Sequence, residues 1–205
     1  QPDGPTTQPV RYFSSSNVAY SVVYVIDRSG SMVSVFPQIQ DEVMKSVSKL
    51  GEGNDFTIIY FGKNEFLQGP TKGLVPADQD HKEAAIKFMK EISAGGSTTV
   101  LPALKRAVSI LKYADPKKGR LIYFLSDGDF EGISGGSKYN AADGKQYTGN
   151  EAVIQWLREN NAKNDKSGMV HLNTYLYGDR DEQAVKVMKT IAEENGGYFK
   201  QIEPD

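Results

Sequence analysis

At 205 residues, 39% hydrophobic and 24% charged, the chain is long enough to bury a sizeable core and has the composition of one globular domain. Lys and Arg number 24 and Asp and Glu 26, a formal charge of −2, which argues against a nucleic-acid surface and against a polyacidic tail. With no cysteine, disulfides, thiolate zinc sites and a cysteine nucleophile are excluded. The longest apolar runs, residues 22–26 and 121–125, are far too short for membrane insertion within this chain.

Residues 1–17 are rich in Pro, Thr, Gln and Ser without an apolar period, and read as a linker or tail ahead of a domain at 18–205. The chain opens at Gln1 with neither an initiator Met nor a signal-peptide pattern, so we expect a fragment or mature piece, a monomeric domain of a longer protein. Val22-Val23-Tyr24-Val25-Ile26 is β-branched and aromatic throughout, the pattern of a strand buried on both faces. Phe36, Ile39, Val43, Val47 and Leu50 then recur at helical spacing and stop at Gly51.

Residues 56–61 predict a second strand, and 65–68 a short one following it as a hairpin. Ala84, Phe88 and Ile92 predict the inner face of a second helix, and Leu101, Leu104, Val108 and Leu111 that of a third. Residues 121–125 predict the central strand, 151–162 a helix facing inward through Val153, Trp156 and Leu157, and 170–176 an alternating strand. Ala184, Met188 and Ile191 predict the last helix, and residues 198–202 a final strand. Strands alternating with helices imply an α/β sandwich with a mostly parallel sheet, and the hairpin implies one antiparallel edge strand.

In such sheets ligands bind beyond the carboxyl ends of the strands. After the first strand comes Asp27-Arg28-Ser29-Gly30-Ser31-Met32, and after the central strand Ser126-Asp127-Gly128-Asp129. Between the second and third helices lies Gly95-Gly96-Ser97-Thr98-Thr99. Together these loops offer carboxylates and hydroxyls, a donor set suited to a hard divalent cation. Mg2+ is the expected cofactor, with Mn2+ and Ca2+ as competitors for the same oxygens. Taken singly, the loops also read as a helix N-cap at Ser31 or Ser34 and a turn at Asp127-Gly128.

The run Tyr24-Val25-Ile26-Asp27-Arg28-Ser29-Gly30-Ser31-Met32 resembles the first strand and metal loop of the von Willebrand factor A domain. Gly95-Gly96-Ser97-Thr98 with Leu101, Ala103 and Leu104 resembles that family's threonine loop, and Phe124-Leu125-Ser126-Asp127-Gly128 its aspartate loop. The resemblance runs from about Ala19 to Ile202. It implies a three-layer α/β sandwich with a six-stranded sheet of order 3-2-1-4-5-6 flanked by helices. It also implies a metal-ion-dependent adhesion site with Asp27, Ser29, Ser31, Thr98 and Asp127 as ligands, some through water. Counting back from Leu104 favours Thr98 over Thr99. The function implied is binding rather than catalysis, the bound ion accepting an Asp or Glu carboxylate from a partner protein.

Residues 129–149 depart from the family pattern and carry Gly132, Gly135, Gly136, Gly144 and Gly149. They read either as a disordered insertion or as a lid on the metal rim, with Asp129 or Glu131 taking the open metal position in the free protein. The alternative function is a metal-dependent hydrolase or phosphotransferase on a similar scaffold. Its best support is the G-x-S-x-G match around Ser134, with His171 as a base, but that motif needs its serine directly after a strand. An extracytoplasmic setting suits the Pro/Thr/Gln-rich leader; related A domains also act inside cells.

Overall fold

A computed structural model describes residues 19–62, 66–97, 99–131, 136–161, 168–178 and 181–202. The expected tail, Thr98 and Ser134 lie outside the described residues. Strand β1 (Tyr20–Asp27) is flanked in parallel by β2 (Asp55–Phe61) and β5 (Gly119–Ser126). With a strand on either side, both its faces are covered. Val23 and Val25 enter one core, and Val22, Tyr24 and Ile26 the other. Each such aliphatic side chain, fully buried, contributes on the order of 1.5–3 kcal/mol, so the run of β-branched residues is what fixes β1 at the centre.

Beyond β5 the sheet continues in parallel through β8 (His171–Leu176) to β9 (Phe199–Gln201). On the other side β2 pairs antiparallel with β3 (Leu67–Gly69). Counted in chain order these six strands run 3-2-1-4-5-6, as expected. The sequence reading missed a further two-residue strand, β4 (Val75–Pro76), which pairs antiparallel with the start of β2. The edge is therefore shared by two short antiparallel strands where one was expected.

Helices α1 (Phe36–Ser48) and α2 (Gln79–Lys90) cover one face of the sheet. The other face carries α3 (Leu101–Lys112), α4 (Gly149–Asn160) and α5 (Glu182–Glu194), completing three layers. The inner faces read from spacing hold for α1, α3, α4 and α5. In α2 the prediction is corrected: Ala84 is exposed, and Ala85 and Met89 are the buried pair, with Phe88 and Ile92 packed at the side. The Asp78 carboxylate caps this helix by accepting from the His81 N–H at 2.9 Å.

Residues 129–149, read either as a disordered insertion or as a lid, hold regular structure in their described part. Within them β6 (Lys138–Asn140) and β7 (Gln146–Thr148) pair as a separate antiparallel hairpin. Its Tyr139 and Tyr147 pack against the core beneath α4, and the Tyr139 hydroxyl donates to Glu159 of α4 at 2.6 Å. The described part of this insertion is thus an ordered ribbon anchored on a helix.

Candidate metal centre at the carboxyl ends of the strands

The parallel register decides what meets at the top of the sheet. Ile26 of β1 stands level with Leu125 of β5, so the next residue on each strand, Asp27 and Ser126, are neighbours. Both are fully buried. The Ser126 hydroxyl donates to Asp27 Oδ2 at 2.8 Å, and the Ser29 backbone N–H donates to Oδ1 at 2.8 Å. Burial first, and the negative charge of Asp127 second, raise the Asp27 pKa, hydrogen bonds from Ser29 and Ser126 oppose the rise, and the net result is about 7.

Asp27 is followed by a 3-10 turn, Gly30–Met32. This turn brings the Ser29 and Ser31 hydroxyls within 3.0 Å of each other. Ser29 is buried and Ser31 exposed, so the pair leads from the buried carboxylate out to solvent. Met32 is fully buried and pins the turn from below.

Two backbone hydrogen bonds hold the glycine loop against this turn. Gly95 N–H donates to the Arg28 carbonyl at 2.6 Å, and Gly30 N–H donates to the Gly96 carbonyl at 3.0 Å. Gly95 has φ of 138° and Gly96 of 105°, conformations that favour glycine. Gly96 therefore lies directly beside Gly30; Thr99 is half-buried.

Asp127, half-buried, follows β5 and accepts the Asp129 N–H at 3.1 Å; Asp129 in turn accepts the Glu131 N–H at 3.0 Å. Phe130 between them is fully buried and stacks on Phe124 with centroids 5.5 Å apart. Ser31, Asp127, Asp129 and Glu131 line one cavity of about 450 Å3, together with Asn150 and Asp181. Asp129 and Glu131 thus line the same cavity as Ser31 and Asp127. The Glu131 carboxylate turns away to accept the Asn150 N–H at 3.3 Å, at the start of α4.

The sequence reading left three contributors unassigned. Ser126 holds Asp27 and also accepts the Gly128 N–H at 3.1 Å; its place at the end of β5, level with Asp27, is the signal that could have found it. Asn150 accepts the Phe130 N–H at 3.0 Å and so ties the aspartate loop to α4. Asp181 caps α5, accepting the Ala184 N–H at 2.6 Å, and brings a further carboxylate to the rim. No sequence spacing announces either of those two.

His171 belongs elsewhere. It is the exposed first residue of β8, at the opposite end of the sheet, and its Nδ1 lies 2.9 Å from the Gly196 carbonyl.

Residues 22–130 match the sequence profile of the von Willebrand factor type A domain. Among curated relatives, the chain is 30% identical over 121 residues to inter-alpha-trypsin inhibitor heavy chain H1 of Mesocricetus auratus, covering 56% of this chain and 13% of the relative. It is 31% identical over 130 residues to heavy chain H4 of Bos taurus, covering 58% and 14%. The chain thus spans about a seventh of the curated relatives it matches. A von Willebrand factor type A structure from Catenulispora acidiphila superposes with a TM-score of 0.67 at 20% identity, over 91% of this chain and 39% of that one. The pilus adhesin SpaC from Lactobacillus rhamnosus GG gives 0.67 at 15% identity, over 92% and 28%.

Proposed function

The chain belongs to the von Willebrand factor type A domain family, whose members generally serve as protein-interaction or adhesion modules, and from that membership and the rim described above we propose a divalent-metal-dependent binding module. The observation that carries the reading is the buried Asp27 carboxylate, placed within the electrostatic reach of Asp127 and beside the Ser29–Ser31 hydroxyl pair. Two carboxylates crowded together in a partly dry site repel, and a cation between them relieves that repulsion.

The donor set fits the ion. Asp27, Ser29, Ser31 and Asp127 supply oxygen only, and Thr98 is the proposed fifth donor, with Thr99 as the alternative. Oxygen donors with few charges suit Mg2+ or Mn2+, with Ca2+ also accommodated. When bound, such an ion supplies an electrophilic position for an Asp or Glu carboxylate of a partner protein.

The chain's own residues do the rest. Ser126 and the Ser29 N–H orient Asp27, and the Gly95–Gly96 backbone clamps the hydroxyl loop in register. Asp129, Glu131 and Asp181 add carboxylates to the rim, so a partner that brings one acid to the ion must otherwise present neutral or basic groups there. The neighbouring hairpin is the proposed source of partner specificity. An extracytoplasmic, adhesive setting accords with the pilus adhesin among the structural neighbours.

The hydrolase alternative draws no support from the described residues, because His171 lies at the far end of the sheet. The test is paramagnetic: Mn2+ titrated into chelator-treated, 15N-labelled protein should broaden the amides of Ser29, Ser31 and Asp127 first. Asp127→Ala should abolish that pattern. Broadening centred anywhere else would refute the assignment.

A further inference from the structure

A buried cationic side chain stands inside the metal loop with little to hold it. Arg28, between Asp27 and Ser29, is 8% exposed, and its buried Nε has no hydrogen-bond partner among the described residues. Resting on the metal reading above, we propose that Arg28 is a positioning residue for the ion. Its guanidinium tethers the segment ahead of Thr98 to the metal loop, so that the hydroxyl donors of the two loops are held to one centre.

Backbone and side chain of Arg28 act together. Its N–H donates to the carbonyl of Phe61, the last residue of β2, at 2.9 Å, and its carbonyl accepts the Gly95 N–H at 2.6 Å. The guanidinium spans 65 positions of sequence, Nη1 donating to the Ser93 carbonyl at 3.2 Å. Gly30 N–H completes the contact on the Gly96 carbonyl at 3.0 Å. Three bonds thus tie residues 93–96 to residues 28–30, and of these the Nη1 bond is made by a side chain. Thr98 follows Gly96 by two positions, so the contact sets where the chain stands just ahead of the proposed fifth donor.

Stability does not account for the residue. Taking a guanidinium out of water is costly, an unsatisfied donor adds to the cost, and one hydrogen bond to a carbonyl offsets little of it. Ser93 is exposed, so its carbonyl can turn to water without Arg28. The stem packs over Gly62, where an added Cβ would lie 3.0 Å from Arg28 Cγ, and a methionine fills that space as well. What methionine cannot do is hold Ser93. A guanidinium has donors only and so cannot itself take the cation. Its positive charge works against the ion, so a role through charge alone predicts tighter metal binding once it is removed. A role through position predicts weaker binding.

The test compares the full chain with Arg28→Met and Arg28→Lys after chelator treatment. Mn2+ affinity is read from the EPR signal of the free ion; amide exchange of Gly30 and Gly95 and urea unfolding are followed in chelator. Arg28→Met should bind Mn2+ about tenfold or more weakly, the size expected when the support behind a metal ligand is lost. Its Gly30 and Gly95 amides should exchange faster than in the wild type, while its urea midpoint equals or exceeds the wild-type value. Arg28→Lys keeps a donor for the Ser93 carbonyl and should recover most of the affinity. Unchanged or tighter Mn2+ binding by Arg28→Met would overturn the proposal. So would a lysine variant no better than the methionine one, or an affinity lost together with a lowered urea midpoint, the mark of a merely structural role. A wild type that takes up no Mn2+ would sink the metal reading itself, whichever way the variants exchange their amides.

Discussion

Replacing Asp27 by Asn in metal-free protein should stabilise the fold, but only above about pH 5. Burial and the charge of Asp127 raise the Asp27 pKa from 3.8 to about 7. The folded state therefore keeps a proton on Asp27 that the unfolded state gives up at lower pH. Stability falls as pH rises from about 4 to about 7, and no further loss comes from this group above that. About three pKa units at 1.36 kcal/mol each set the full loss near 4 kcal/mol. Asn carries no charge and escapes it, while its Oδ1 can still accept the Ser29 N–H. Its Nδ2 faces the Ser126 hydroxyl, which must turn from donor to acceptor, at a cost of about 1 kcal/mol. The variant should thus lie about 1 kcal/mol below the wild type near pH 4 and about 3 kcal/mol above it near pH 8. Urea unfolding in chelator across that range measures the difference. A gap that stays constant with pH, or a variant less stable throughout, would refute the picture of a strained buried carboxylate.

Other consequences are as direct. Ser126→Ala removes the donor to Asp27 and the acceptor of the Gly128 N–H, and should cost about 1.5–3 kcal/mol in denaturant unfolding while weakening the response to Mg2+. Phe130→Ala vacates a fully buried ring stacked on Phe124; a loss of about 3–5 kcal/mol is expected by the same assay. Asp181→Ala removes the cap of α5 and should lower stability by about 1 kcal/mol in denaturant unfolding.

How far the sequence carries is clearest from particular elements. Residues 22–26 announce β1 because a strand buried on both faces needs apolar side chains at every position, and few other patterns do. The three loops were legible because the carboxyl ends of parallel strands are where side chains converge. The face of α2 was misread by one residue, since Ala84, Phe88 and Ile92 match the helical period as well as Ala85 and Met89 do. The hairpin at Lys138–Asn140 and Gln146–Thr148 was hidden by its glycines and by three-residue strands too short to show a period. The pairing of Ser126 with Asp27 depends on register between strands that are 99 residues apart, and spacing along the chain does not reveal it.

The central claim is that the top of the sheet is a working metal centre. Thermal unfolding in chelator, then with Mg2+ or Mn2+ added, for the wild type and for Asp127→Ala, tests it most directly. A cation that binds only the folded state raises the midpoint by mass action, by about 2.7 kcal/mol at a hundredfold excess over its dissociation constant. The account predicts that the wild-type midpoint rises with either ion and that the Asp127→Ala midpoint does not move. A wild-type midpoint indifferent to both ions, or a variant that responds equally, would contradict it.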